Sequence, residues 1–201
     1  MLFTSHRLAP ILFACSTLAS TVPAFADGSI FTGVTVGQAE LKDYRLPTTS
    51  LGDSEDVGEV FVGYQFTPFF ATTLGYMDLG TYDAAGPVFG GYTHELEFSG
   101  VHVSTIGIVP ISPRVAALAT VGLYSWDGDF RGQDEDGPRV LSDSGESVTN
   151  GAGLNVDVFA EDGINLHITW QRFDTVGDRQ GLEHENDYDL FLLGATYHFK
   201  P

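Results

Sequence analysis

The residue types in this sequence that are most capable of catalysis are closely spaced histidines, serines and acids. One residue separates His102 from Ser104, and a histidine beside a serine hydroxyl can activate it as a nucleophile for acyl transfer. His94 and His184 lie among acidic residues, an arrangement that resembles the carboxylate and imidazole pair of a protease. One histidine near many acids is expected by chance, however. The sequence has no nucleotide-binding motif, metal-ligand spacing or nucleophile elbow, so we predict no catalytic residue, no cofactor and no metal site.

Acidic residues dominate the charge of the chain. There are 27 Asp and Glu against 9 Lys and Arg among 201 residues, which gives a formal net charge of -18. Such an excess repels phosphate backbones, so nucleic-acid binding is excluded. The single cysteine, Cys15, cannot form an internal disulfide. The length corresponds to one domain.

The first 26 residues have the pattern of a secretory signal peptide. Arg7 precedes an apolar run, and Ala24-Phe25-Ala26 supplies the small residues that signal peptidase accepts. We predict cleavage after this motif, which leaves a mature domain of residues 27–201. Lipidation of Cys15 is the alternative, but a bulky phenylalanine stands where that pathway normally has a small residue.

The mature chain alternates apolar residues with small or polar ones. A period of two with one apolar face is typical of β-strands, and eight such segments follow one another. Their apolar faces include Val34 and Val36, Val60 and Val62, Leu74 and Tyr76, Val101 and Val103, Val121 and Leu123, Leu154 and Val156, Leu166 and Ile168, and Phe191 and Leu193. No apolar run approaches the roughly 18 residues that a membrane-spanning helix requires.

The connections between these segments alternate in length. Short ones are predicted at residues 67–69, 110–113 and 160–163, and long ones at residues 38–57, 78–95, 126–147 and 174–188. Outer-membrane barrels alternate short periplasmic turns with long outer loops, because the chain enters and leaves on the periplasmic side. We therefore predict an all-β fold, an eight-stranded antiparallel up-and-down transmembrane β-barrel.

The placement of charged and aromatic residues fits lipid on the outside of this barrel. A basic residue that faces lipid at mid-bilayer costs about 2–4 kcal/mol, and the apolar faces carry no charge at mid-strand. Aromatic residues group at two heights, as membrane interfaces favour: Tyr76, Trp170 and Phe191 at the outer end, and Phe66, Phe70, Tyr197 and Phe199 at the inner end. A secreted β-sandwich would alternate similarly but does not need two aromatic girdles.

Two acids, Glu59 and Asp157, fall on the opposite, inward faces of their strands. A buried carboxylate needs a partner, because desolvating an isolated charge is costly. His102, His167 and His198 also lie on inward faces. We therefore predict that these five residues form a polar network in the lumen of the barrel.

Six motifs, taken in order, resemble the OmpA-like eight-stranded transmembrane barrel family over essentially the whole mature chain. They are Val62-Gly63-Tyr64-Gln65-Phe66-Thr67-Pro68, Leu74-Gly75-Tyr76-Met77-Asp78-Leu79-Gly80, Val109-Pro110-Ile111-Ser112-Pro113-Arg114, Gly151-Ala152-Gly153-Leu154, Trp170-Gln171-Arg172-Phe173 and Leu193-Gly194-Ala195-Thr196-Tyr197-His198-Phe199. The resemblance implies a monomer in the outer membrane of a Gram-negative bacterium, surrounded by outer-membrane lipids and lipopolysaccharide. The final Tyr197-x-Phe199 resembles the signal that the barrel-assembly machinery recognises.

Two features depart from the family pattern. Family members commonly continue into a periplasmic peptidoglycan-binding domain, so for a sequence that stops at Pro201 we do not expect anchoring to the cell wall. Positions that hold lumen bases in the best-known relative are Thr35, Ile106 and Thr120 here. The lumen histidines are therefore the expected partners of the lumen acids.

The predicted long loops carry most of the acid: Glu40, Asp43, Asp53, Glu55 and Asp56, then Asp127, Asp129, Asp134, Glu135, Asp136 and Asp143, then Asp174, Asp178, Glu183, Glu185 and Asp187. We predict solvated, mobile loops that meet divalent cations among lipopolysaccharide phosphates, or host and surface ligands. The predicted function is therefore structural or surface interaction in the cell envelope, without catalysis.

Two alternatives to this function stay open. One is a narrow pore for ions or small solutes. The other is a lipid A-modifying enzyme, because His102-Val103-Ser104 matches the minimal H-x-S motif of a lipid A deacylase. In the predicted register both residues face the lumen, whereas that chemistry needs them to reach the lipid.

Overall fold

Nine β-strands make up the secondary structure of the described part of this protein. The computed structural model describes residues 28–41, 50–51, 54–85, 93–134, 137–159, 161–176 and 187–199. The strands are β1 Ser29–Leu41, β2 Ser50–Leu51, β3 Ser54–Thr67, β4 Phe70–Ala85, β5 Thr93–Ser112, β6 Val115–Asp134, β7 Gly137–Phe159, β8 Ile164–Phe173 and β9 Tyr188–His198. Within the described part of the chain, no helix is long and apolar enough to cross a membrane. The predicted signal peptide and Cys15 lie outside the described residues.

Eight long strands close into one antiparallel barrel, which confirms the predicted fold. Successive long strands pair with each other, and β9 returns to pair with β1. The closing register joins Val34 to Ala195 and Val36 to Leu193. The two-residue β2 adds to the outer end of β4. Closure satisfies the backbone groups that an open sheet edge would expose to lipid.

Short turns join β3 to β4, β5 to β6 and β7 to β8, as predicted, but β5 runs to Ser112, so the second turn lies at Pro113 and Arg114 rather than at residues 110–113. Two of them are stabilised by a hydroxyl that accepts a hydrogen bond from a backbone N–H two residues on. Thr67 Oγ1 accepts from Phe69 at 3.2 Å, and Ser112 Oγ accepts from Arg114 at 3.4 Å. Gly163 ends the third turn with a φ of 74°, a conformation that favours glycine.

The apolar faces point outward, as period two predicts for a closed sheet. Val36, Leu123 and Phe191 keep 62%, 59% and 57% of their surface exposed. The exposed apolar residues define a membrane-spanning band over residues 30–36, 60–66, 70–76, 101–109, 115–123, 148–158, 164–170 and 191–199.

The strands continue far above this band, so three of the four predicted loop boundaries are wrong. β5, β6 and β7 contain 20, 20 and 23 residues, and β6 pairs with β7 without interruption from Val115 to Asp134. Acids predicted to lie in mobile loops, such as Glu40, Asp127 and Asp129, lie in paired strands instead. Above the lipid the outward face no longer needs apolar residues, so backbone pairing continues after the hydrophobic alternation has ended.

An apolar core fills the barrel above the membrane-spanning band. This upper core consists of Ala39, Val57, Met77, Leu79, Tyr82, Phe98, Tyr124, Trp126, Phe173, Val176, Tyr188, Leu190 and Leu192. Its rings pack edge to face or tilted, with centroids 5.7 Å apart for Phe98 and Trp126 and 5.5 Å apart for Tyr82 and Tyr188. The upper core lies on the outer side of the polar part of the lumen.

Candidate functional site

A hydrogen-bonded network of four side chains lies directly below the upper core. Glu59 Oε1 is 3.0 Å from Nδ1 of His102, and Nε2 of the same ring is 3.0 Å from Thr149 Oγ1. Thr35 Oγ1 donates to Glu59 Oε2 at 3.2 Å. All four residues are buried. The contacts use both nitrogens of the imidazole and both oxygens of the carboxylate, as a buried pair requires.

Two glycines allow these side chains to meet across intervening strands. Gly75 of β4 lies between Glu59 on β3 and His102 on β5, and a Cβ at Gly75 would come within 2.8 Å of Glu59 Oε1. In the same way a Cβ at Gly122 of β6 would lie 2.7 Å from Thr149 Oγ1. Neither glycine was predicted from the sequence. The pattern that points to them is an inward-facing glycine on a strand whose two neighbouring strands each carry a polar inward-facing residue.

The five residues of the predicted lumen network are all in the lumen, but only Glu59 and His102 form a hydrogen-bonded contact among them. His167 is buried and its Nδ1 lies 3.3 Å from Thr196 Oγ1. The ring of His198 stacks on Phe31 with a centroid separation of 5.0 Å.

Asp157 has a buried Oδ1 atom with no hydrogen-bond partner among the described residues. It lies on the inward face of β7, two residues beyond Asn155 toward the periplasmic turn. This carboxylate therefore stands apart from the pair of Glu59 and His102.

A cavity of about 170 Å³ occupies the lumen below the upper core. Its upper lining includes Thr35, Glu59, His102, Thr169 and Gln171, which are buried. Its lower lining is half-exposed and consists of Gln65, Ile108, Asn155, Asn165 and His198, close to the periplasmic turns. Exposure thus rises toward the periplasmic end, where the cavity opens.

The residues of the H-x-S motif face this lumen. His102 contacts Glu59 and Thr149, whereas Ser104 Oγ lies 2.7 Å from Thr73 Oγ1. Both are buried on the face away from lipid. His184 lies outside the described residues, as does the side chain of His94. No group of three or more His, Cys, Asp or Glu within the described ranges could hold a metal ion.

Acidic side chains dominate the outward face of the strands above the membrane-spanning band. On β5, β6 and β7 this face carries Glu95, Glu97, Asp127, Asp129 and Glu146, and we call these five residues the acidic wall. Arg131 lies among them, with Nη2 3.6 Å from Glu97 and 3.8 Å from Asp129.

Arg172, at the outer end of β8, is also engaged by acids. Arg172 Nε donates to Asp174 Oδ1 at 3.2 Å, and its Nη2 pairs with Asp187. These contacts join the end of β8 to the residue that precedes β9. Arg131 and Arg172 are therefore each engaged by two acids, and among the described residues the five acids of the wall outnumber the one arginine that contacts them.

Comparisons with known proteins agree with this architecture. The OmpA-like transmembrane domain family matches residues 25–201. Outer membrane protein A of Shigella flexneri is 24% identical over 199 residues, and that of Yersinia pseudotuberculosis serotype I (strain IP32953) is 22% identical over the same length. Each alignment covers 98% of this chain and 55% of the relative, so the chain spans about half the length of these relatives.

Two solved outer-membrane barrels have the same fold. Neisserial surface protein A superposes with a TM-score of 0.60 at 12% identity, covering 86% of this chain and 99% of that one. Ail, the attachment invasion locus protein of Yersinia pestis, gives a TM-score of 0.53 at 15% identity, covering 86% and 97%. The chain belongs to the OmpA-like transmembrane domain family and is an outer-membrane β-barrel of Gram-negative bacteria.

Proposed function

We propose that this barrel is a non-enzymatic surface-interaction protein of the cell envelope, which binds cationic groups through its acidic wall. The observation that supports this most strongly is the continuation of β5, β6 and β7 above the lipid as a paired sheet backed by the upper core. Strands paired in this way hold their side chains in fixed register. The acids of the wall therefore form a pre-organised surface, and little ordering entropy is lost on binding.

The charge of the wall defines the class of ligand. Two acids of the wall, Glu97 and Asp129, lie 3.6 and 3.8 Å from Arg131 Nη2, and Ser142 Oγ donates to Asp129 Oδ1 at 2.6 Å, which holds that carboxylate in place. Ail has been crystallised with the heparin analogue sucrose octasulfate, a polyanion. The wall of the present protein is itself anionic, so we expect it to repel sulfated sugars and to attract basic peptides.

Divalent cations are a second class of ligand for this surface. Because the described residues include no group that could hold a metal ion alone, a bound cation would need further oxygen ligands from a neighbouring molecule. Lipopolysaccharide phosphates supply such oxygens at this height.

We further propose that the barrel is a monomer and that its last strand is recognised by the assembly machinery through Tyr197 and Phe199, which both face outward.

The test is binding of a lysine decapeptide to the protein in lipid nanodiscs at low salt. The variant combines Glu97→Gln, Asp127→Asn and Asp129→Asn, and we expect it to weaken binding by at least about tenfold, because the site loses most of its attraction. Raising the salt to about 0.5 M should abolish binding, since surface charges are then screened within a few ångströms.

The matched control carries the same chemistry in the opposite, periplasmic turn: Glu161→Gln with Asp162→Asn, both exposed. It should bind the peptide as the wild type does. Equal loss in both variants, or stronger binding of sucrose octasulfate than of the peptide, would contradict the proposal.

A narrow pore is the second candidate function, and the lumen cavity is the observation that favours it. The upper core argues against it, because buried rings pack against one another inside the barrel on the outer side of this cavity. A lipid A-modifying enzyme is disfavoured by the lumen position of His102 and Ser104. Alanine at both positions should leave the lipid A profile of the cell unchanged.

A further inference from the structure

Two residues that line the upper part of the lumen cavity have buried hydrogen-bonding atoms without partners. Gln171 Oε1 and Thr169 Oγ1 have no partner among the described residues, and these residues are only 8% and 5% exposed. Both line the cavity. Leaving such atoms unsatisfied costs free energy, so a ligand that donates hydrogen bonds to them would be favoured.

The charge of the cavity favours a cation. Among its lining residues Glu59 is a carboxylate, three are the histidines His102, His167 and His198, and none is a lysine or arginine. Asp157, with its unpartnered Oδ1, lies beyond the lining toward the periplasmic end. A positive group entering from that end would therefore approach one carboxylate and finish beside another.

Aromatic rings supply an apolar wall for the rest of such a ligand. Phe31 and Phe61 both line the cavity, with their rings edge to face and centroids 6.3 Å apart. Phe61 also packs against His167 at 6.2 Å. Aromatic faces attract cations and cover carbon chains, so these rings suit an alkyl group that carries a positive charge.

From these observations we propose that the lower lumen is a binding pocket, entered from the periplasmic end, for a small organic cation that carries an ammonium or guanidinium group on a short carbon chain. The cationic group would donate hydrogen bonds to Gln171, Thr169 and Glu59, while its carbon chain lies against Phe31 and Phe61. A cavity of about 150 Å³ is known to accept benzene, so the 170 Å³ here accommodates a comparably small ligand. The pocket lies on the opposite side of the upper core from the acidic wall and is independent of the function proposed for that wall.

The experiment is an NMR titration of the protein in lipid nanodiscs with butylammonium. Butanol and butyrate serve as probes of nearly the same shape that are neutral and anionic. We expect saturable shifts of lumen resonances, including those of His102 and Gln171, with butylammonium alone. Similar shifts with all three probes, or no saturable shift with any of them, would overturn the proposal.

Three variants locate the site. Glu59→Gln keeps the shape but removes the charge, and it should weaken butylammonium binding by at least about tenfold. Thr169→Val removes one hydroxyl at constant volume and should weaken binding a few-fold, which keeps the test decisive if Glu59→Gln fails to fold. The control Glu146→Gln removes an acid of the acidic wall and should bind as the wild type does. Unchanged affinity in Thr169→Val, or the same loss in Glu146→Gln, would place binding outside the pocket and overturn the proposal.

Discussion

The pair of Glu59 and His102 is the principal polar contact inside the barrel. Both side chains are buried, and each also holds a threonine hydroxyl. A buried carboxylate that loses its imidazole partner keeps its desolvation penalty without compensation. The net stabilisation from the contact is therefore smaller than the destabilisation expected when one of the two partners is removed.

A double-mutant cycle on this pair tests that argument. We expect His102→Ala to lower the free energy of unfolding by about 3–5 kcal/mol, because it leaves the carboxylate of Glu59 buried without its imidazole partner. Glu59→Ala leaves an imidazole that still contacts the Thr149 hydroxyl and should cost less, and the double variant should cost less than the sum of the two. The measurement is urea unfolding in lipid vesicles. Ser104→Ala, which removes a hydroxyl contact to Thr73 in the same lumen, should cost only about 1 kcal/mol. Additive losses from the pair would show that the two groups do not interact.

The glycine between them gives a second prediction. A methyl group at Gly75 would lie 2.8 Å from Glu59 Oε1 and 2.9 Å from the backbone oxygen of Val60. Because backbone cannot move aside cheaply, Gly75→Ala should destabilise the barrel by about 1–3 kcal/mol and lengthen the contact from Glu59 to His102. The control is Gly58→Ala on β3, where an added methyl group meets no atom within 4 Å. Equal stability of the two variants, measured by the same unfolding experiment, would contradict this role of Gly75.

Sequence reasoning reached part of this site. Period two put Glu59, Asp157 and the three histidines on inward faces, because facing depends only on position along each strand. Which of them meet depends on the register between strands and on Gly75, and no single-strand pattern contains that information. His167 and His198 consequently share the lumen with Glu59 but bond elsewhere.

At the scale of the elements, each long strand differs in which residues face outward between the part inside the lipid and the part above it. Inside the lipid the outward residues are apolar and the inward ones are small or polar, so the alternation is strong and the turns at the inner end were predicted correctly. Above the lipid the pattern inverts, with Phe98 and Trp126 facing inward and Asp127 and Glu97 facing outward. Without a continuous apolar face on one side, the ends of β4 to β7 could not be located from the sequence.

Because of the tyrosines in the upper core, we expect the free energy of unfolding to fall at alkaline pH. Burial, and then the nearby Tyr188 and Glu55, raise the pKa of Tyr82 well above its usual range, and burial likewise raises the pKa of Tyr188. Both tyrosines lie above the membrane-spanning band. Below pH 10 both phenols are protonated in either state and the stability is fully present. As the pH rises above 10, the unfolded chain loses these protons and the folded one keeps them, so stability falls by about 1.4 kcal/mol per pH unit for each tyrosine.

Tyr82→Phe isolates one of these contributions. The Tyr82 hydroxyl is buried and has no hydrogen-bond partner among the described residues. Its removal should therefore leave stability at pH 7 unchanged or slightly higher, and should reduce the slope of stability against pH above 10 by the share of one tyrosine. The measurement is the free energy of unfolding from pH 8 to 12. An unchanged slope in Tyr82→Phe would show that this phenol ionises in the folded state as freely as in the unfolded one.

At the scale of the whole molecule, the barrel is asymmetric across the membrane. Its outer end is filled by the upper core and carries acids outside, whereas its inner half holds a polar cavity open toward the periplasmic turns. Eight strands enclose an interior that side chains can fill, and here they fill only the outer half. The asymmetry would separate the proposed surface function on one side from the proposed pocket on the other.

This asymmetry makes conductance a decisive whole-molecule test. We expect the refolded protein to be silent in planar bilayers, because the upper core interrupts any path through the lumen. The rings of Tyr124 and Phe173 pack 5.3 Å apart immediately above His102, at 6.4 and 5.5 Å from its ring. Replacing both with alanine should connect the cavity to the outer end and produce discrete conductance steps. Each replacement should also lower the free energy of unfolding by about 3–5 kcal/mol, so circular dichroism must first show that the variant still folds as a barrel.

The matched control for this experiment is Phe191→Ala, which removes a ring of similar size from the lipid-facing surface. It should stay silent, because the upper core is intact. Steps of equal size in the wild type and in both variants would mean that ions pass without displacing the upper core. Transport through the lumen would then become the leading function.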